Sequence, residues 1–343
     1  RHMYGTRRAA EGWQDEYSSR LLEAGFMQGM ASACVFQHPE RGIAVSVHGD
    51  DFIATGPKPE LEWFEGMLRD HCELTVGGRL GPGPEDDKEA RVLNRIVRWT
   101  PDGHELEGDP RHAELVVEQL ELLDATPLSS PGIDQPDPEP GSEEDQELDK
   151  EKAKLYRGIA ARCNYLAADR PELQFAVKEA CREMSKPTLF SWSKLLRIGR
   201  YLKGQPRLVW RYKLQIAPGV IDVYSDANWV ACKRTRKSTS GGLAMIGSHV
   251  IKSLSKTQSV IAKSSAESEL FGIVRASTEA LGLVTLYKDL GDVVQIRVHV
   301  DASAAKSIVE RQGLGKVRHV EVDLLWIQEQ QLRNKLPLVK IDG

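Results

Sequence analysis

Apolar positions fall into distinct textures along this chain. At Gly12–Leu22, Pro59–His71 and Pro110–Leu123, and over most of 152–203, they recur every third or fourth residue, the spacing of an amphipathic helix. In the last of these stretches Tyr156, Ile159, Ala160, Cys163 and Leu166 form one stripe. Ile43–Val47 and Phe52–Thr55 are short alternating runs on either side of His48-Gly49-Asp50-Asp51, which predicts a β-hairpin. Beyond residue 216, strands are predicted at Val220–Tyr224, Gly242–Ile246, Val250–Leu254, Gln295–Val300 and Leu338–Ile341. A long helix is predicted at Ser265–Leu290, with Leu270, Ile273, Val274, Ser277, Leu281, Val284 and Tyr287 on one side, and shorter helices at Ala302–Gln312 and Val320–Asn334. Three antiparallel strands, a helix, a strand and further helices make an α/β layer architecture around a mixed five-stranded sheet. The glycine-rich stretch after His71 shows no clear period.

Residues 134–151 interrupt these patterns with three prolines, a glycine and nine acidic side chains against one lysine, so they read as a solvated acidic linker. A length of 343 residues corresponds to about two domains. The net charge of −4 conceals an asymmetry: residues 1–133 carry 13 Lys and Arg against 24 Asp and Glu, whereas 152–220 carry 15 against 4. A basic block between acidic ones points to a polyanionic partner. Its cations are interleaved with Trp192, Tyr201, Trp210 and Tyr212, a composition that suits a phosphate backbone and equally a soluble helical pair with its aromatics inside. No apolar run approaches the ~20 residues of a membrane span, and no secretory signal is present, so no membrane partner is expected. Five widely spaced cysteines without a CxxC pair argue against disulfides or zinc and fit a reducing compartment, cytoplasm or nucleus.

Asp226 follows the first strand of the C-terminal part, Glu269 lies in the first turns of the long helix, and Asp301 ends the fourth strand. Carboxylates at strand ends of an α/β sheet occupy the places where ligand sites form. Three of them without His or Cys suit Mg²⁺, a hard ion that takes oxygen ligands, and two such ions can drive phosphodiester cleavage. The same acids also fit helix caps and solvated surface groups. Glu267 belongs to Ser264-Ser265-Ala266-Glu267, a capping-box pattern, and is assigned to that structural role.

Tyr224-Ser225-Asp226-Ala227-Asn228-Trp229, Arg236-Lys237-Ser238-Thr239-Ser240-Gly241-Gly242, Ala262 to Leu270, Val300-Asp301-Ala302-Ser303 and Arg318-His319-Val320-Glu321-Val322-Asp323 resemble, in order, the ribonuclease H domain of copia-type LTR retrotransposon polyproteins. Upstream, Met3-Tyr4-Gly5-Thr6-Arg7-Arg8 and the Asp50–Asp51 turn resemble that family's reverse transcriptase, with His48 where the family has Tyr. The resemblance implies a truncated reverse transcriptase palm and thumb at 1–133, the linker at 134–151, a basic helical connection at 152–216, and a C-terminally truncated RNase H-like domain at 217–343. By carry-over Asp226, Glu269 and Asp301 would hold two Mg²⁺ ions, with Mn²⁺ as a substitute, and cut the RNA of an RNA–DNA hybrid to a 3′-hydroxyl and a 5′-phosphate. Asp50 and Asp51 would serve the polymerase metals only in a full-length protein, on template–primer nucleic acid, because the family's first catalytic aspartate belongs upstream of Arg1. Arg7, Lys203, Arg234, Arg236 and Lys237 are the expected nucleic-acid contacts. The family's fourth nuclease carboxylate falls in an Ala-Asp pair shortly after the last strand, and this chain stops at Gly343 before any such pair; Glu321 and Asp323 read as exposed helix acids and His319 as structural. The alternative is a repurposed copy that binds nucleic acid without cutting it.

Overall fold

The computed structural model describes residues 6–133, 135–313, 315 and 325–342. His319, Glu321, Asp323 and the start of the helix predicted from Val320 lie outside the described residues. The chain divides into two compact units.

The first unit comprises Arg1–Gly77, Gly219–Ile221 and Ser277–Ile296. The Thr6 hydroxyl accepts a hydrogen bond from the Ala9 amide and starts α1 (Arg7–Glu23), five residues earlier than predicted. A sheet of β1 (Met27–Gln28), β2 (Val35–His38), β3 (Ile43–His48) and β4 (Asp51–Thr55) follows in that order, and then α2 (Lys58–Arg69). Alternation along β3 buries Ile43, Val45 and Val47 against Tyr17, Leu21, Phe36, Phe64 and Leu68, so α1 and α2 cover one face of the sheet. The predicted hairpin forms, with His48 paired to Asp51 and Gly49 at φ +64° opening a two-residue turn.

The second unit comprises Gly78–Pro218, Asp222–Ala276 and Arg297–Gly343. The stretch without a clear period folds into a meander of β5 (Glu89–Val92), β6 (Arg95–Thr100) and β7 (Gly103–Glu107), none of which the pattern predicts. After α3 (Arg111–Gln119), α4 (Lys150–Leu166), α5 (Pro171–Arg182) and α6 (Leu189–Gly204), the chain returns as β8 (Val209–Lys213) to complete this antiparallel sheet beside β7. Gly103 has φ +143°, and a Cβ there would collide with the Tyr212 carbonyl oxygen across the β7–β8 ladder. Gly103→Ala is therefore expected to destabilise the protein by roughly 2–4 kcal/mol, read as a lowered urea midpoint with an unchanged m-value.

The helices α3 to α6 pack their predicted stripes together. Tyr156, Ile159, Ala160 and Cys163 are fully buried against Leu173, Val177, Leu195, Ile198 and Leu202, and the Tyr156 hydroxyl donates to the Ala180 carbonyl at 2.7 Å. Trp192 and Tyr201 pack against this core, Trp210 donates to the Asp169 carbonyl and Tyr212 to the Val250 carbonyl. The aromatics of the basic block are thus structural groups.

The remaining sheet has the order β11–β10–β9–β12–β13, from β9 (Val220–Asn228), β10 (Thr239–Ile246), β11 (His249–Thr257), β12 (Gln295–Val300) and β13 (Leu338–Lys340). It is mixed, as expected: β10 and β11 are antiparallel, β12 and β13 parallel. Its helices are α7 (Ser265–Asp289), α8 (Ser303–Glu310) and α9 (Trp326–Leu332). Against the expectation that no segment suits a bilayer, α7 is long and apolar enough to do so. Leu270, Ile273, Ala276, Ser277 and Ala280 are nevertheless buried along one stripe, and the helix carries Glu267 and Glu269 near its start, which is how a core helix is built.

Candidate metal centre

The site grows from the alternation of β9. Ile221, Val223, Ser225 and Ala227 turn inward, which sends Asp222, Tyr224 and Asp226 to the opposite face. On the neighbouring β12 the same period places Arg297, His299 and, just beyond the strand, Asp301 in step.

The acids along these two strands are treated in opposite ways. Asp222 is neutralised: Arg297 donates to both its carboxylate oxygens at 2.6 and 3.0 Å, and His299 donates from Nε2 at 2.7 Å with its ring stacked on Tyr224. Arg297 first, and His299 after it, hold the Asp222 carboxyl below the usual carboxylate range. Asp226 and Asp301 receive no Lys or Arg partner among the described residues.

Helix α7 adds the third acid. The Ser264 hydroxyl accepts from the Glu267 amide, while the Glu267 carboxylate accepts from the Lys263 amide at 2.9 Å, so Glu267 caps the helix as expected, reaching one residue beyond the cap. Glu269 lies half a turn further on and is buried. At Gly272 a Cβ would stand 3.1 Å from Ser225 Oγ and 3.4 Å from the Asp226 carbonyl oxygen; the bare glycine lets the helix close on β9. Glu269 Oε1 accepts from the Ala227 amide at 3.3 Å, and one carboxylate oxygen each of Asp226, Glu269 and Asp301 all lie within 4.8 Å of one another.

Such a cluster is costly when bare, because two carboxylates at this separation repel by roughly 3 kcal/mol at an effective dielectric of about 20. The strain shows on Glu269, whose carboxyl is pushed up to about 7 by burial first and then by Asp226 and Asp301. All-oxygen donors with no imidazole or thiol match a hard divalent cation, which would relieve the repulsion and keep Glu269 ionised.

Beside these acids, the segment after β9 is held in an uncommon shape. Val230 and Arg236 both have φ +56°, and for the β-branched Val230 that is a strained position. The Ser238 hydroxyl accepts from the Val230 amide and Trp229 Nε1 donates to the Ala262 carbonyl at 3.1 Å, leaving the indole face half exposed. Arg236 and Lys237 make no ion pair among the described residues, whereas Arg234 pairs with Glu183 at 2.7 Å.

The other expected contacts have local partners. Arg7 is exposed and pairs with Glu11 at 2.9 Å. Lys203 donates to the Leu123 and Ala125 carbonyls, and Arg200 and Arg197, on the same stripe of α6, reach the Thr126 carbonyl and the Ser130 hydroxyl. These cations clasp the segment that follows α3, a role their sequence did not disclose. Asp50 and Asp51 are exposed at the β3–β4 turn, where Trp13 Nε1 donates to the Gly49 carbonyl at 2.7 Å; among the described residues no third acid, His or Cys joins them.

No family model matches the chain. It is 26% identical over 360 residues to the retrovirus-related Pol polyprotein from transposon RE2 of Arabidopsis thaliana, across 99% of this chain and 23% of that protein. With the Pol polyprotein from transposon TNT 1-94 of Nicotiana tabacum it shares 22% identity over 352 residues, across 99% of this chain and 26% of the relative. Along nearly its whole length the chain is therefore similar to retrovirus-related transposon Pol polyproteins. It spans about a quarter of the length of these relatives. The chain also has the fold of a foamy viral protease–reverse transcriptase solved in complex with double-stranded DNA, with a TM-score of 0.53 and 12% identity over 97% of this chain and 49% of that one. Its fold is thus mixed α/β, as expected.

Proposed function

We propose that this chain hydrolyses the RNA strand of RNA–DNA hybrids at the Asp226, Glu269 and Asp301 centre, as a divalent-metal-dependent ribonuclease H. The observation that carries the reading is the convergence of three carboxylates, unpaired with any described cation, in a sheet that pairs the neighbouring Asp222 twice. A pair of Mg²⁺ ions held there would lower the pKa of an attacking water and stabilise the departing 3′-oxygen. Asp226 and Asp301, exposed at strand ends, leave the centre open to a phosphodiester, and buried Glu269 closes it from below. The Ala227 amide fixes one Glu269 oxygen, so the carboxylate does not swing away when the site loads. Arg236 and Lys237, in no ion pair among the described residues, would meet the phosphates of the hybrid, whose 2′-hydroxyls mark the strand to be cut.

Incubating the 343-residue chain with a labelled RNA–DNA hybrid tests this. RNA shortening in Mg²⁺ that stops in EDTA is the expected result. A hybrid bound equally in Mg²⁺ and EDTA, and never cut, would replace the nuclease with a purely binding protein. The Asp50–Asp51 turn, which no third acid joins among the described residues, would serve nucleotidyl transfer only together with a further carboxylate. The 343-residue chain is accordingly expected to incorporate no nucleotide on a primed template; measurable incorporation would refute that assignment.

A further inference from the structure

We propose that Gln258 is a positioning residue that holds the Glu269 turn in register for metal binding, an inference that rests on the metal reading of the carboxylate cluster. Gln258 follows β11 and is 7% exposed. Its backbone amide donates to the Ser238 carbonyl at 2.8 Å, which extends the β10–β11 ladder one step past the Thr239–Thr257 pair and fixes where the side chain starts.

From there the amide reaches across to α7. Gln258 Nε2 donates to Ser240 Oγ on β10 at 3.0 Å and to the Ser268 carbonyl at 2.9 Å, with Ser268 Oγ at 3.3 Å. A carbonyl oxygen only accepts, so the nitrogen end of the amide must face Ser268; the orientation follows from the chemistry of the partner. Ser268 is fully buried and immediately precedes Glu269. The first turns of α7 are therefore located from two sides: Gly272 seats them on β9, and Gln258 ties them to β10.

The need for a tie is electrostatic. Glu269 is pushed away by Asp226 and Asp301 and is held directly by one long bond from the Ala227 amide. A turn that rotated slightly would carry Glu269 out of the cluster and relieve the repulsion, at the cost of the third ligand. Gln258 resists that rotation through a carbonyl one residue away, as outer-layer hydrogen bonds do for metal ligands in general. Among the described residues Oε1 of this buried amide has no hydrogen-bond partner, so the side chain's described bonds are all made by its nitrogen.

Gln258→Met keeps the length and volume and deletes both donors. Mn²⁺ binding to the full chain, followed by electron paramagnetic resonance without any hybrid, is expected to weaken about tenfold or more. Hybrid cleavage by the variant should then recover when Mn²⁺ is raised, with KM for the hybrid unchanged. Should Gln258→Met fail to fold, Gln258→Asn keeps the polarity but is one methylene too short to span from Ser240 to Ser268, and the same loss of affinity is expected. A lowered melting temperature with Mn²⁺ affinity within twofold of wild type would show a merely structural glutamine and overturn the proposal. If the wild-type chain itself shows no Mn²⁺ binding that Asp226→Asn removes, the metal reading fails instead.

Discussion

Asp226→Asn is expected to lower hybrid cleavage by at least about 10³-fold, equivalent to roughly 4 kcal/mol of transition-state stabilisation. The substitution conserves shape and removes one negative charge. Asp226 accepts no described hydrogen bond or ion pair whose loss would unfold the unit, and removing its charge relieves part of the repulsion on Glu269. The metal-free variant should thus melt no lower than wild type, which separates lost chemistry from lost structure. Asp222→Asn is the matched control, four residues away on the same face of β9. It breaks a bidentate contact with Arg297 and one with His299 and should cost about 1–3 kcal/mol of stability, while cleavage by the folded fraction stays within about fivefold. Single-turnover cleavage with denaturant melts on the three proteins checks both statements. Equal cutting by Asp226→Asn and wild type would place the reactive centre elsewhere.

The residues of this pair of strands also show what the sequence disclosed and what it withheld. The hydrophobic period located β9, α7 and β12 within a few residues, because each buries one clear face: Ile221 and Val223, Leu270 and Ile273, Ile296 and Val298. Once those elements were placed, the acids at their ends were candidates that also fitted caps and surface groups, and the resemblance to the ribonuclease H motifs selected Asp226, Glu269 and Asp301. The meander β5 to β7 was invisible because β5 and β6 are short and half-exposed, so Arg91, Arg95 and Arg98 alternate with nothing deeply buried, and the buried ends of β7 are Gly103 and Glu107 rather than apolar side chains. β8 was hidden for a related reason. Its Val209, Trp210 and Tyr212 sit among arginines and lysines, and the charge of the block masked a strand that pairs with β7 more than 100 residues earlier. Nor could charge alone reveal that Arg197, Arg200 and Lys203 grip carbonyl and hydroxyl groups of their own unit. That depends on where the chain after α3 runs, a tertiary fact.

Glu269→Gln carries the second large expectation, and its sign is set by pH. In the metal-free folded chain the Glu269 carboxyl titrates near 7, against an ordinary value of 4.5 when the chain is unfolded. The folded state therefore holds this proton longer than the unfolded state does. The stability that comes from the neutral carboxyl is fully present below pH 4.5, falls as pH rises through 7, and is absent above it. At about 1.4 kcal/mol per pKa unit the whole contribution is of order 3 kcal/mol. A glutamine at this position is neutral at every pH. In EDTA, Glu269→Gln should match wild type near pH 4 and exceed it by roughly 2–3 kcal/mol near pH 8, measured as the difference in urea midpoints multiplied by m. Adding Mg²⁺ at pH 8 should reverse the order, because the ion stabilises only a site that keeps its third carboxylate, by an amount that grows with the logarithm of ion concentration. A stability difference between the two proteins that stays flat from pH 4 to pH 8 in EDTA would mean that Asp226, Glu269 and Asp301 do not share one electrostatic field, and the case for a common metal centre would go with it.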